Sequence, residues 1–417
     1  MTPEGAQRDL VVSGQHRLPL AYHAVWLSGL ALLVVGLVMV FSVSTAAGFF
    51  RDDGDGLIYV RQQGVAALLG LVLMVALSRI DYRRLRPLAM VALIVMLGLL
   101  VAVHVPGVGR GAKGATRWIA LGGISLQPSE FAKLVVLLAA AHLLALERRR
   151  TRLFKDIFWP VALVAGPVCA LILAQRDLGT ALVVAIVVMG LFWVAGMRVW
   201  QWLATVGGGA MLAAAAIMSE SYRVERFLAF LDPFSDPRDK GFQIIQSLLA
   251  LGSGGLLGAG PGRSVQKFSY LPEAHTDMIF AVLGEELGLL GVGLVVGLFA
   301  LLTISALHVA RRCADPFGRL LAAGCAFLIG GQAILNVGGV TAALPLTGVP
   351  LPFISFGRNS LLVSLLALGI TLSVARFGPI AVPVHRSLSE PLEPPNVAYL
   401  DRRRGHSRTR GARVGYR

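Results

Sequence analysis

Three ionisable side chains, Glu273, His275 and Asp277, crowd the mouth of an apolar run at residues 270–291, Y-L-P-E-A-H-T-D-M-I-F-A-V-L-G-E-E-L-G-L-L-G. Two more, Glu285 and Glu286, lie inside it. Ionisable groups at membrane depth are costly and usually functional, which makes this stretch the first place to look for chemistry. Pro272 ends the preceding extended segment, and the pattern predicts a helix starting at Thr276 or Asp277. Asp277 then projects from the first turn, at the lip of the membrane. It serves there either as a capping carboxylate steadied by the helix dipole or as a reactive one. With a rise near 1.5 Å per residue, Glu285 and Glu286 lie about 12 Å below it, placed to pair with cations of neighbouring helices. His275 reads as a solvated loop histidine, with a role as proton partner as the alternative.

A second group occupies residues 114–133, G-A-T-R-W-I-A-L-G-G-I-S-L-Q-P-S-E-F-A-K. Trp118 is an interface anchor, and Pro128 suits a helix start, where the first N–H groups have no partner anyway. Glu130 and Lys133 are three apart and share one face of that helix. They form either a buried structural ion pair or part of an anion cradle. In the cradle, Arg117 grips phosphate oxygens with a bidentate fork and Lys133 acts as a point charge. Asp177 reads as a helix cap, Arg226 and Asp232 as a loop ion pair, and Asn336 as glue between apolar helices.

The elements that hold these residues follow from composition. The 417-residue chain is 56% hydrophobic and only 15% charged, with a mean hydropathy of +0.72. Soluble domains are thereby excluded in favour of an all-α integral membrane protein. Ten transmembrane helices are predicted, at about 24–49, 63–79, 87–105, 128–146, 157–174, 179–196, 200–219, 277–308, 318–340 and 360–375. The first is too long for the core of a signal peptide. Arg79, Arg83, Arg84, Arg86, Arg148, Arg149, Arg150, Arg152, Lys155, Arg198, Arg311, Arg312 and Arg319 follow even-numbered spans. The positive-inside rule then places these loops and both termini in the cytoplasm. The net charge of +15 is accounted for by topology and anionic membrane lipids, and no nucleic-acid motif is present. The three cysteines indicate neither a disulfide framework nor a metal cluster.

The domain plan is a cytoplasmic segment at 1–23, a membrane domain at 24–377 and a basic disordered tail at 378–417. Between spans 7 and 8 lies a long extracytoplasmic loop, about 220–276. Within it, residues 241–259 are apolar but broken by glycines, and are expected to form a re-entrant or interfacial helix. The opposite face from the cytoplasm carries Arg110, Lys113, Arg117, Arg176, Arg223, Arg226, Arg238, Lys240, Arg263, Lys267 and Arg358. Such a set either holds something anionic or rides on a loop long enough to cross regardless of charge.

Taken in order, these stretches resemble the SEDS family (shape, elongation, division and sporulation proteins) of FtsW and RodA type, over about residues 25–377. The motifs that carry the resemblance are G-A-T-R-W-I at 114–119, Q-P-S-E-F-A-K at 127–133 and D-L-G-T at 177–180. They continue with D-P at 232–233, G-F-Q-I-I-Q-S at 241–247, S-V-Q-K at 264–267 and L-P-E-A-H-T-D at 271–277. A-V-L-G-E-E-L-G at 281–288 and L-P-L-T-G-V-P-L-P-F-I-S at 344–355 complete them. S-V-Q-K and L-P-E-A-H-T-D are similar to the division branch; T-G-V-P-L-P-F resembles the elongation branch. Three departures stand out: Arg176 replaces a usual Pro, Met278 a common Phe, and F-G-R-N-S at 356–360 the usual Y-G-G-S-S.

The resemblance implies a peptidoglycan glycosyltransferase that polymerises lipid II in the cell membrane, at the division septum, beside a class B penicillin-binding protein and other divisome proteins. It puts Asp277 at the position of the family's proposed catalytic acid residue. That agrees with a carboxylate acting as general base on a sugar hydroxyl. Arg117, Lys133, Arg226 and Lys267 are the candidates to meet the departing pyrophosphate, alone or with Mg²⁺ or Mn²⁺. Glu130, Glu273 and His275 complete the expected substrate-binding set. A lipid II flippase and a scaffold without catalysis are the rival readings.

Overall fold

The computed structural model describes residues 20–48, 57–112, 115–121, 124–147, 154–239, 241–267 and 271–379. Asp52, Asp53 and Asp55 between the first two spans, Lys113, Arg148, Arg149, Arg150, Arg152, Lys240, nearly all of the 1–23 segment and the tail beyond residue 379 lie outside them. All described residues belong to one compact unit.

Each of the ten expected spans meets a helix. They are α1 (Leu20–Gly48), α2 (Ile58–Arg79), α3 (Ala89–Ala102), α4 (Pro128–Glu147), α5 (Phe154–Ala174), α6 (Leu178–Ala195) and α7 (Val199–Met218), then α10 (Ile279–Arg312), α11 (Pro316–Val340) and α12 (Arg358–Phe377). Among the described residues nine are long and apolar enough to cross a bilayer, and α3, with 14 residues, is shorter. Residues 82–85, just before the expected third span at 87–105, form a 3₁₀ turn, and the α-helix proper begins at Ala89. α11 is the hub, packed by α4, α6, α10 and α12. On α7, at the rim, only Gln201 is buried.

Helix ends follow local chemistry. Asp177 caps α6, accepting from Thr180 N at 3.1 Å and Thr180 Oγ1 at 2.9 Å, as its position predicts. Asp177→Ala should therefore lower stability by about 1 kcal/mol, read as a small drop in thermal midpoint. At the opposite end of the bundle Asp315 caps α11 through Gly318 N, and accepts from the buried Tyr82 hydroxyl at 2.8 Å. Burial pushes that phenol far above its ordinary range, so it stays a donor.

One element departs from the expected all-helical plan. Residues 106–127, between the third and fourth expected spans, contain a small antiparallel sheet, β1 (Gly109–Ala112), β2 (Ala115–Leu121) and β3 (Ile124–Leu126). It pairs Arg110 with Trp118 and Ala120 with Ser125. The long loop also holds α8 (Ser221–Leu231), an amphipathic helix with Phe227, Leu228 and Leu231 exposed. The expected short helix in 241–259 is α9 (Phe242–Ser253), packed against α10 and α11. Asp232 accepts from Phe234 N at 3.2 Å in a local turn, and Arg226 stands exposed on α8.

The expected straight span at 277–308 is corrected in two ways. It starts at Ile279, with Met278 in the cap position, so Asp277 precedes the helix. It also breaks at Gly288, where φ is 64° and ψ −167°, a conformation that costs a glycine nothing. The break splits α10 into a buried piece, with every residue from Ile279 to Glu286 sealed in, and a long span behind it. Backbone groups freed at such a break need partners at membrane depth. The glycine-rich stretch after α9 supplies them: Ala259 N and Gly260 N donate to Glu285 O and Glu286 O at 2.9 and 3.0 Å, and Leu289 N donates to Gly255 O at 2.9 Å.

The charged and backbone partners of the two glutamates come from the loop, where cations of neighbouring helices were expected. Glu286 Oε1 accepts from Lys267 Nζ at 2.9 Å and from Ser42 Oγ of α1 at 2.6 Å. Glu285 accepts from Ser264 Oγ, from Val265 N at 2.9 Å and from Gln266 N at 3.4 Å. The S-V-Q-K segment is thus clamped onto the buried start of α10.

Candidate active site

Asp277 sits at the end of a tight turn that begins at Glu273. Glu273 has φ +57°, and its carbonyl accepts from Thr276 N at 3.0 Å and Met278 N at 3.3 Å. Its carboxylate accepts from Thr276 Oγ1 at 2.9 Å. The half-buried Asp277 carboxylate faces a pocket completed by Leu335, Asn336, Gly339 and Val340 of α11 and by Leu346, Thr347, Gly348 and Val349 of the following loop.

One side chain joins these segments. Asn336 Nδ2 donates to Asp277 O and to Val349 O, both at 2.8 Å. One turn further along α11, Gln332 Nε2 donates to Pro350 O at 2.8 Å and Ser360 Oγ at 3.1 Å. Gln332 Oε1 accepts from Lys133 Nζ at 2.9 Å, and Lys133 pairs with Glu130 Oε2 at 2.7 Å. Buried polar groups at such depth are costly unless partnered, and these bonds supply the partners of both amide NH₂ groups.

Gly348 has φ +70°, and a methyl group added there would lie 3.3 Å from Asp277 Oδ2. Gly348→Ala should cost about 1–3 kcal/mol in backbone strain and crowd the carboxylate. A thermal melt and a polymerisation rate, both lowered, would check it.

His275 is half-buried and stacked on Tyr59 of α2, with ring centroids 4.8 Å apart and 23° between planes. Its carbonyl accepts from Phe356 N at 2.9 Å, and Phe356 packs edge-on to Tyr59. The expected solvated histidine is corrected: it is the bolt between the Asp277 turn and the loop entering α12.

The expected cations separate into two kinds. Lys133 and Lys267, both buried, spend their ammonium groups on Glu130 and Glu286; for Lys133 this is the buried ion pair of its two expected alternatives. Burial next to a carboxylate makes them ion pairs, costly to break. Arg117, on β2 and half-buried, donates through Nε to Gln175 O at 3.2 Å and through Nη2 to Arg176 O at 2.6 Å. It pins the sheet to the turn between α5 and α6. Arg176 takes φ +58°, which proline could not adopt. The other departures, Arg358 and Asn359, both reach β3, donating to Ser125 Oγ at 3.0 Å and Ser125 O at 3.3 Å.

Among the described residues no cluster of three His, Cys, Asp or Glu is arranged to hold a metal ion. Gln332, Gly348, Tyr59 and Phe356 did not stand out in the sequence. The spacing Gln332, Asn336, two amides one turn apart on an apolar span, was the available signal for the first of them.

Fold and site together define a multi-pass membrane protein whose polar centre lies under loops at one end of the helical bundle. A family model described as cell cycle protein, of FtsW, RodA and SpoVE type, matches residues 22–378. The probable peptidoglycan glycosyltransferase FtsW of Geobacter metallireducens is 42% identical over 349 residues, covering 84% of this chain and 93% of that one. A chain from a structure of a peptidoglycan synthase complex, described for its coordination of polymerization and crosslinking, superposes with a TM-score of 0.70. It is 32% identical and covers 86% of this chain and 98% of that chain. The rod shape determining protein RodA of Thermus thermophilus gives a TM-score of 0.62 at 32% identity, covering 84% and 95%. The chain belongs to the FtsW/RodA/SpoVE family.

Proposed function

We propose that this chain is a peptidoglycan glycosyltransferase that polymerises lipid II, with Asp277 as the general base. The observation that carries the reading is the placement of the Asp277 carboxylate in a loop-lined pocket, its backbone held by Asn336 and its Oδ2 against Gly348. The relatives' names and the synthase complex among the similar structures support the reaction class.

In the reaction, a hydroxyl oxygen of the acceptor sugar attacks the anomeric carbon of the donor. The bond from that carbon to the phosphate oxygen breaks, and its electron pair leaves with the polyprenyl pyrophosphate. Asp277 takes the hydroxyl proton, and in-line attack inverts the anomeric centre. Arg117 and Arg226 are our candidates to receive the pyrophosphate charge; Mg²⁺ or Mn²⁺, for which the described residues offer no ligand cluster of their own, would add positive charge there if it arrived with the substrate. Lys133 with Glu130, and Lys267, support the site from beneath; Glu273 and His275 shape its turn.

We further propose a class B penicillin-binding protein as partner, both termini on the cytoplasmic side, and work at the division septum with other divisome proteins. The basic tail would lie on anionic lipid headgroups.

Reconstitution in proteoliposomes with its partner and labelled lipid II tests the reaction. Glycan strands and free polyprenyl pyrophosphate are the expected products. Headgroup translocation with no polymer would favour a flippase instead.

A further inference from the structure

We infer that Asn336 is the positioning residue of this site, and that its spare amide oxygen accepts a hydrogen bond from Asp277 once that carboxylate has taken a proton. The inference rests on the reading of Asp277 as general base. Both donors of Asn336 are used, one on the carbonyl of Asp277 itself and one on Val349 O, each at 2.8 Å. Because both of these partners are acceptors, the amide can face only one way: NH₂ toward them and Oδ1 away. Oδ1 is buried and accepts no hydrogen bond from the described residues, on a residue only 3% exposed. A buried amide oxygen left without a donor typically costs about 1–3 kcal/mol, and a donor that arrives during the reaction would recover that cost where it is of use.

The pocket narrows the choice of donor. Asn336 and Asp277 line it together with Leu335, Gly339, Val340, Leu346, Thr347, Gly348 and Val349. Of these, only Asp277 can gain an acidic proton, and it does so when the sugar hydroxyl surrenders one. The proton leaves the acceptor oxygen as that oxygen bonds the anomeric carbon. It resides on Asp277, then passes to water when product departs. An acceptor waiting for the neutral carboxyl stabilises the protonated form that develops in the transition state. Glu273 and His275 are the other titratable groups of its own turn. Through Gln332, one turn along α11, the Glu130–Lys133 pair follows.

Two variants test this in the purified complex supplied with lipid II. Asn336→Ala removes the clamp and the acceptor without adding charge; kcat should fall about 10- to 100-fold with KM within twofold of the parent. Asn336→Asp sets a second carboxylate beside the first. Like charges raise one another's proton affinity, so the acid limb of the pH–rate profile should move up by about one pH unit or more. That shift places position 336 beside the reacting carboxylate, and the loss of kcat at unchanged KM in Asn336→Ala is what separates positioning from helix packing.

Asp277→Asn is run alongside as the control. If it is inactive while Asn336→Ala keeps the parental kcat, or Asn336→Asp the parental profile, the role given to Asn336 is wrong and the base stands. If Asp277→Asn polymerises normally, the base assignment fails and this inference falls with it. Asn336→Ala keeps the test readable should the aspartate variant misassemble.

Discussion

Lys267→Met should be among the most destabilising single changes in this chain, costing about 3–5 kcal/mol. Glu286, whose side chain is 1% exposed, loses its cation and keeps only Ser42 Oγ at 2.6 Å among the side-chain donors described above. A carboxylate so deep cannot be rehydrated, and it must either stay charged without its partner or bind a proton. Removing both charges avoids that cost, so Lys267→Met with Glu286→Gln should regain most of the lost stability. Thermal midpoints of the two single variants and the double variant measure the coupling. If the double variant is no more stable than Lys267→Met alone, the pair is not what locks the segment.

The consequence reaches beyond stability. Lys267 and Ser264 hold the 264–267 segment against Glu285 and Glu286, and those residues belong to the buried piece of α10 that begins two residues after Asp277. Loosening the clamp should therefore slow turnover as well as lower the melting point.

Much of this was legible in the chain. Ten apolar runs gave ten helices, because a bilayer demands long apolar segments whatever their neighbours are. Pro128 marked the start of α4 and Asp177 the cap of α6, both decided by local backbone chemistry. The break at Gly288 was not visible. G-E-E-L-G-L-L-G reads as a continuous span, and only the loop at 255–260, distant in sequence, supplies the hydrogen bonds that make a break affordable. The small sheet was hidden by its glycines, although A-T-R-W-I-A-L carries the branched and aromatic residues strands favour.

The site divides in the same way. Asp277, Glu130, Lys133, Glu273, His275 and Lys267 could be picked out by residue type and position. Their partners could not. Glu286 for Lys267, Tyr59 for His275 and Gln332 for Lys133 each come from another element. Gly348 becomes meaningful only when its Cα is seen against the Asp277 carboxylate.

Asp277→Asn should lower polymerisation about 10²- to 10⁴-fold, the range a positioned general base supplies. The amide is nearly the same size and leaves untouched the hydrogen bond from Asn336, which goes to the backbone carbonyl. The turn is also held by backbone bonds to Glu273 O and by the Thr276 hydroxyl on Glu273, so folding and KM for lipid II should change little. The loss should fall on kcat, the signature of an interaction made in the transition state. Glycan chain formation from lipid II by Asp277→Asn and the parent, each in the same purified complex, is the most direct test. The account predicts a folded variant that binds lipid II and forms almost no polymer. A folded variant polymerising at the parental rate would contradict it.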